Sequence, residues 1–527
     1  MPATGDSADL QADTPPPPDN YRAKSDAYEH LDDDAHLREL GYENKFERKM
    51  SLSANFALGF VYLSPMVSVV SIFALGISTA GPPALFWIFL IAGGQLLVAL
   101  VFGEVVSQFP LAGGLYQWGR RLWNGRYAWW MAWIYVFGIT IGITTTALFS
   151  SDFIASLFWG TDAEPSITAS PLQKLTITLC VITVCLVLNM AGTKTLARVS
   201  QIGLICEVVG IMVIGLYLLL FERKQPFSVF FDTMGAGGSS PYFFAFLGAS
   251  LVGLYMFYGF ESCGEVAEET PNPARAIPVS MAMTVIIGMV VAVIAFAGYV
   301  LAAPNLQAIV NGEDSNPIPA ILHDSMGLIG TKLFLITVLT SFIAGVMGQQ
   351  AAVSRLVYSF ARDGMFPGSA LFSRTARKRH VPINALIAVN VLPVLLVIFV
   401  YFSPDSLFRI AAFQMLAGYF AFQMVVLAAL RMRLKGWKPG GPWTLGRSGL
   451  AINIGALLYG VVAMVILAKP SSDTSLPFYD RWIALIGFLV VAVVGLVYLL
   501  VAKPDRKSTA PEGDAIEIAQ RLRAGKA

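Results

Sequence analysis

Charge is scarce in this chain. Asp, Glu, Lys and Arg make up 13% of its 527 residues, about half the share of an ordinary soluble domain. A conventional soluble globule is therefore excluded. Cysteine and histidine are scarce as well, with four of each. Cys180, Cys185, Cys206 and Cys263 lie in or beside apolar segments, without metal-ligand spacing, and are expected as reduced thiols. His30, His36, His323 and His380 are scattered, and no two share a helix face, so no metal centre is expected. A formal net charge of +2, with basic residues confined to loops, implies no nucleic-acid partner. There is no Ser/His/Asp order and no phosphate-cradling loop in a strand–helix context, so neither an enzyme nor a bound cofactor is expected.

What is present is apolar. Hydrophobic residues make up 56% of the chain, and long apolar runs recur from Ser51 to Ala502. A spanning helix needs about 20 apolar residues. The runs predict about twelve spans, near 53–77, 84–107, 128–151, 172–191, 199–221, 242–263, 277–302, 331–360, 382–402, 406–430, 449–468 and 481–502. Before them, residues 1–50 read as a disordered polar tail with a proline run (Pro15 to Pro18), closing in a possible surface helix from His36 to Met50. Residues 503–527 form a short second tail with one amphipathic run, Ala515 to Leu522. No signal peptide is expected, because some fifty polar residues precede the first apolar segment.

Lys and Arg set the expected orientation. They gather in alternate connections: Arg120, Arg121 and Arg126; Lys194 and Arg198; Arg275; Arg374, Arg377, Lys378 and Arg379; Arg431, Arg433, Lys435 and Lys438. The intervening connections 78–83, 152–171 and 303–330 have none, and only 222–240 breaks the pattern, with Arg223 and Lys224. Both tails are expected in the cytoplasm, and the cell's plasma membrane is the expected location.

A few polar residues interrupt the apolar runs. In the first span, Pro65 removes a helix hydrogen bond, and Ser64, Ser68 and Ser71 share a face. Two readings stand: a break that frees amide donors for an anionic group, or a plain proline kink with serines bonded back to their own helix. In the fifth span, Glu207 lies nine residues past Arg198, roughly 14 Å into the span at 1.5 Å per residue. It must face the bundle interior, and is there to couple transport or contact substrate, or simply as a neutral acid bonded to a neighbour. In the sixth, Tyr258-Gly259-Phe260-Glu261 puts a glycine and a carboxylate where neither suits a spanning helix; a buried Glu costs roughly 3 kcal/mol on insertion scales. The alternative is that Glu261 already lies at the surface beside Glu265, Glu268 and Glu269. The eighth span carries Thr340, Ser341, Gly345, Gly348, Gln349, Gln350 and Ser354, with at least one Gln expected to face inward.

Three stretches resemble the amino acid–polyamine–organocation transporter superfamily. They are Gly103-Glu104 through Pro110, Gly113-Gly114 and Tyr116; Gly259-Phe260-Glu261 with Ala267 to Pro278; and Ser354-Arg355 through Arg362-Asp363-Gly364 and Pro367. The lead-in Leu37 to Tyr42 is most similar to the amino acid/choline branch. The resemblance implies an all-α integral membrane protein with two inverted five-helix repeats (LeuT-like) plus two C-terminal helices, and a site between broken spans one and six. It implies that a substrate carboxylate meets amides around Ser64, Pro65, Met66, Val67 and Ser68. The amine would meet carbonyls near Phe257, Tyr258, Gly259, Phe260 and Glu261, with Tyr255 closing over the substrate. Two departures stand out: Leu63-Ser64-Pro65-Met66 replaces the glycine-rich break of many relatives, and Glu207 stands where several carry a lysine linked to proton coupling.

The expectation is a secondary transporter of a small amino acid or amine, working by alternating access and proton-coupled through Glu207, with residues 51–502 as its transmembrane domain. Uncoupled exchange or sodium symport is the alternative within the class. A transporter-like nutrient sensor is the alternative outside it, though the short tails favour transport.

Overall fold

The computed structural model describes residues 33–43, 45–238, 241–376, 381–403, 407–469 and 477–524. The proline run, His30, His380 and the basic residues Arg377, Lys378 and Arg379 lie outside them. The described residues form helices and connecting loops, with no strand among them. Eleven of the helices are long and apolar enough to cross a membrane. The twelfth expected pass, the sixth in order, is the shorter apolar stretch Tyr242–Met256. It is short because the helix stops mid-way, and a stub, Ser262–Glu265, resumes beyond the break.

The first span is broken too. Leu52–Leu63 and Pro65–Ala80 are separate helices joined at Ser64. Ser64 takes left-handed backbone angles (φ 42°, ψ 84°), and its N–H closes the first piece by donating to the Phe60 carbonyl at 2.7 Å. Pro65 then opens the second piece, where its missing N–H costs nothing. At the other break, Gly259 sits at φ 120°. A Cβ there would lie 2.7 Å from the Tyr62 ring and 2.8 Å from the Leu63 amide nitrogen. Only glycine lets the sixth span press its break directly against the end of the first half-helix.

Most span edges fall within a few residues of expectation. The eighth differs: its helix is drawn from Pro317 to Arg362, but Gly327 (φ 70°, ψ 178°) divides it, so the spanning part starts near the expected Thr331. The ninth is interrupted between Ala388 and Val391. Spans one and three are almost wholly enclosed, while the twelfth, Ile483–Ala502, is exposed along most of its length. Val490, Val493, Val494, Val497 and Val501 all point outward, as a lipid-facing helix requires.

Residues 33–50, with 44 outside the described residues, pack against the spans where part of a disordered polar tail was expected. The predicted helix from His36 to Met50 is shorter and earlier, over residues 33–39, and Leu37, Leu40, Tyr42 and Met50 are buried. Apolar side chains spaced through an otherwise polar segment dock it. The C-terminal helix Ala515–Ala524 buries Ala515, Ile518 and Ala519. Both segments meet at Arg120 and Arg121. The Arg120 guanidinium donates to the Ala510 and Pro511 carbonyls at 2.7 and 3.1 Å. Arg121 bonds the Leu40 carbonyl and the Asp514 carboxylate.

Candidate functional site

Pro65 has no N–H, so the second half-helix of the first span offers its first amide donor at Met66. That N–H donates to Glu207 Oε1 at 2.9 Å, and the Ser64 hydroxyl donates to the same oxygen at 2.8 Å. The Val67 N–H is taken by Ser64 Oγ at 3.2 Å, and the Ser68 N–H by the Ser64 carbonyl at 2.9 Å. The Ser68 hydroxyl turns back to the Leu63 carbonyl at 3.1 Å. Every donor from Ser64 to Ser68 thus has a partner inside the protein. A carboxylate at a helix N-terminus is favoured by both hydrogen bonding and the helix dipole. Here the fifth span supplies that carboxylate. Glu207 is fully buried, and its Oε2 has no hydrogen-bond partner.

The sixth break is arranged the other way. Leu251–Met256 ends at Phe257, whose N–H donates to the Gly253 carbonyl at 3.3 Å, and no hydrogen bond among the described residues ends on the carbonyls of Tyr255, Met256, Phe257 or Tyr258. Glu261 is fully buried rather than at the surface. Its Oε1 accepts from the Tyr135 hydroxyl at 2.5 Å and its Oε2 from the Gly259 N–H at 3.0 Å. Its carboxylate therefore straps the broken backbone to the third span. The Tyr255 ring packs edge-on against Phe149, with centroids 5.9 Å apart.

A small cavity, about 20 Å³, lies between the breaks. That is room for little more than one water. It gathers Ser64, Val67, Ser68, Tyr255 and Tyr258 from the residues singled out in the sequence. Pro65, Met66, Phe257, Gly259, Phe260, Glu261 and Glu207 do not line it; they support the wall from behind. Of the Gln349–Gln350 pair, at least one of which was expected to face inward, Gln349 lines it. Tyr62, Thr146 and Gln414 are wall residues that sequence reasoning missed. Gln414 and the run Thr144-Thr145-Thr146 were visible as polar interruptions of apolar spans, a signal passed over. The Gln349 amide donates to the Thr146 hydroxyl at 2.9 Å, and the Thr145 hydroxyl donates to Gln414 Oε1 at 2.6 Å. Gln349 Oε1 has no hydrogen-bond partner among the described residues. Among the described residues, no charged side chain lines the cavity.

Beyond the sixth break, acidic residues lock the chain to the eighth span. Glu269 and Arg355, both buried, pair at 2.8 Å, and the Thr193 hydroxyl donates to Glu269 at 2.5 Å. Glu268 pairs with Arg362 at 3.0 Å and accepts the Ala112 N–H at 3.1 Å. The Arg362 guanidinium stacks over the Tyr42 ring, 4.2 Å from its centroid. The Tyr42 hydroxyl donates to Asp363 at 3.1 Å. Burial, helped by the Asp363 carboxylate, pushes that hydroxyl well above its ordinary pKa, so it remains a donor.

Residues 55–503 match the amino acid permease family. Among similar proteins, an "Amino-acid permease BAT1 homolog" from Oryza sativa subsp. japonica is 26% identical over 495 residues, 89% of this chain and 92% of its own. "Amino-acid permease BAT1" from Arabidopsis thaliana is 24% identical over 88% of this chain and 92% of its own. A "Putative polyamine transporter" from Candida albicans is 25% identical over 89% of this chain and 88% of its own. The match runs through both breaks and nearly every span: the chain belongs to the amino acid permease family, a family of integral membrane transporters.

Proposed function

We propose that this protein is a secondary transporter that moves a small amino acid or amine by alternating access, coupled to protons through Glu207. One observation carries the proposal: two broken spans face each other across a small polar cavity, with a mid-span carboxylate docked on the donor end of one of them. Broken spans of this kind make sites for small ions and solutes in many transporters. The names of the relatives, amino-acid permeases and a polyamine transporter, fit the same substrate range. The cavity as drawn is too small for such a solute, so loading requires the two breaks to part. The Glu269–Arg355 and Glu268–Arg362 pairs, with the tails packed nearby, are suited to hold one side shut. That side is assigned to the cytoplasm, and the membrane to the cell surface. Residues 51–502 form the transport domain, with 1–50 and 503–527 as extensions.

Coupling follows from the bonds of Glu207. Ionised, its carboxylate is a strong acceptor for the Met66 amide and the Ser64 hydroxyl. Protonated, it loses the charge that strengthens both bonds. Adding or removing one proton therefore tightens or loosens the joint between the fifth span and the broken first span. The test is uptake into proteoliposomes across an imposed pH gradient. Wild-type uptake should rise when the side of entry is acid, and Glu207→Gln should lose that response while still exchanging substrate across the membrane. A variant that keeps the full pH response would eliminate coupling at Glu207 and favour uncoupled exchange or another ion. Tyr255→Ala should weaken substrate affinity about tenfold, as loss of an aromatic contact in a closed pocket does, with surface expression unchanged. Unaltered affinity would remove Tyr255 from the site.

A further inference from the structure

As receptors, the two breaks differ in what they leave open. An amino acid offers a carboxylate, which needs donors, and an ammonium, which needs acceptors. At the first break the donors are used up: Met66 N–H and Ser64 Oγ by Glu207, Val67 N–H by Ser64 Oγ, and Ser68 N–H by the Ser64 carbonyl. At the sixth break the acceptors are open, because the carbonyls from Tyr255 to Tyr258 receive no hydrogen bond among the described residues. Buried carbonyls seldom stay unpaired. Gln349 Oε1 on the cavity wall, 4% exposed as a residue, is a further acceptor without a partner.

We propose that the pocket selects small amines without a carboxylate, and that Glu207 stands where an amino acid's carboxylate would otherwise dock. This rests on the transport function proposed above and narrows its substrate class. A substrate carboxylate could take the Met66 amide only by evicting Glu207. The exchange gains nothing, since one carboxylate replaces another. It also strands a buried Glu207 without its two donors, and puts two like charges close together in a low dielectric. Among the described residues, the wall offers no cation to offset them.

An ammonium meets none of these obstacles. It brings three donors to a site that has spare acceptors. Tyr62 and Tyr258, ring centroids 5.9 Å apart, give the wall aromatic rings for cation–π contact. Glu207, one hydrogen bond behind Ser64, and Glu261, one hydrogen bond behind the Gly259 amide, both favour a positive charge between the breaks. The substrate class that this chemistry favours is an amine without a carboxylate.

Four probes that share a four-carbon skeleton separate the classes: n-butylamine, 1,4-diaminobutane, 4-aminobutyrate and butyrate. Each is titrated against the purified full-length protein by calorimetry, and each is tested for uptake into proteoliposomes. Both amines should bind, 4-aminobutyrate at least about tenfold more weakly than n-butylamine, and butyrate not at all; tenfold is a lower bound, because one unfavourable like-charge contact is worth more than that. In Glu207→Ala the Met66 amide is freed, and the ranking of n-butylamine and 4-aminobutyrate should narrow or reverse. The wild-type ranking needs no variant, so poor folding of Glu207→Ala does not spoil the test. Binding of 4-aminobutyrate as tight as that of n-butylamine would overturn the selection while leaving transport standing. Failure of both amines to bind would likewise overturn the selection, whereas transport itself stands or falls on the pH-gradient uptake described above.

Discussion

The first and sixth spans both break, and they break in opposite ways. The first uses a serine and a proline: Ser64 turns left-handed, Pro65 restarts the helix, and all the donors set free are satisfied within a few ångströms. The sixth uses glycine and leaves carbonyls open. Its carboxylate, Glu261, ties the backbone to Tyr135 from behind. A broken helix is thus not in itself a binding site. What matters is which of its freed groups the rest of the protein has already taken. Here the protein takes the donors and leaves the acceptors, and that polarity favours a cation.

The contrast can be broken hardest from the sixth-span side. Arg355→Ala leaves the buried Glu269 without its ion-pair partner, a loss of roughly 3–5 kcal/mol. The expected result is a large fall in melting temperature and loss of uptake, read by thermal unfolding in detergent; Arg355→Lys should recover part of the stability. Next comes Gly259→Ala. At φ 120°, with neighbours at 2.7–2.9 Å, a methyl group costs about 3 kcal/mol in strain and overlap. The two breaks can then no longer touch, so uptake should fall even in the fraction that remains folded. The smallest effect belongs to the first break. Ser64→Ala removes one donor to Glu207 and the cap on Val67 but keeps the Met66 amide bond, and should cost about 1 kcal/mol. Stability should hardly change while the pH dependence of uptake shifts. Equal losses from Gly259→Ala and Ser64→Ala would erase the distinction between the breaks.

Much of this was legible in the residues. Spans show because lipid demands long apolar runs, and the breaks show because Pro65, Gly259 and Glu261 are costly in such runs. Glu207 betrayed its depth by its distance from Arg198. Its partner was not legible: nothing local to residue 207 says that its carboxylate reaches residues 64 and 66, more than 140 positions away. At the amides where the resemblance implies a substrate carboxylate, the Met66 N–H and the Ser64 hydroxyl are bonded to Glu207. Gln414 and Thr145 were hidden for the same reason, as single polar residues whose meaning lies in pairing across spans three and ten. The docking of residues 33–50 and 515–524 was legible in part, because Leu37, Leu40 and the run Ala515 to Leu522 mark apolar faces, but nothing local to them says what covers those faces.

The central claim is that Glu207 holds the carboxylate position and leaves the pocket to an ammonium. A structure determined with 4-aminobutyrate at saturating concentration addresses it most directly, because one molecule carries both groups. The account predicts the ammonium about 3 Å from acceptors at the sixth break or Gln349, with the ligand carboxylate turned away and Glu207 still bonded to Met66. A ligand carboxylate seated on the Met66 amide, with Glu207 displaced, would contradict it.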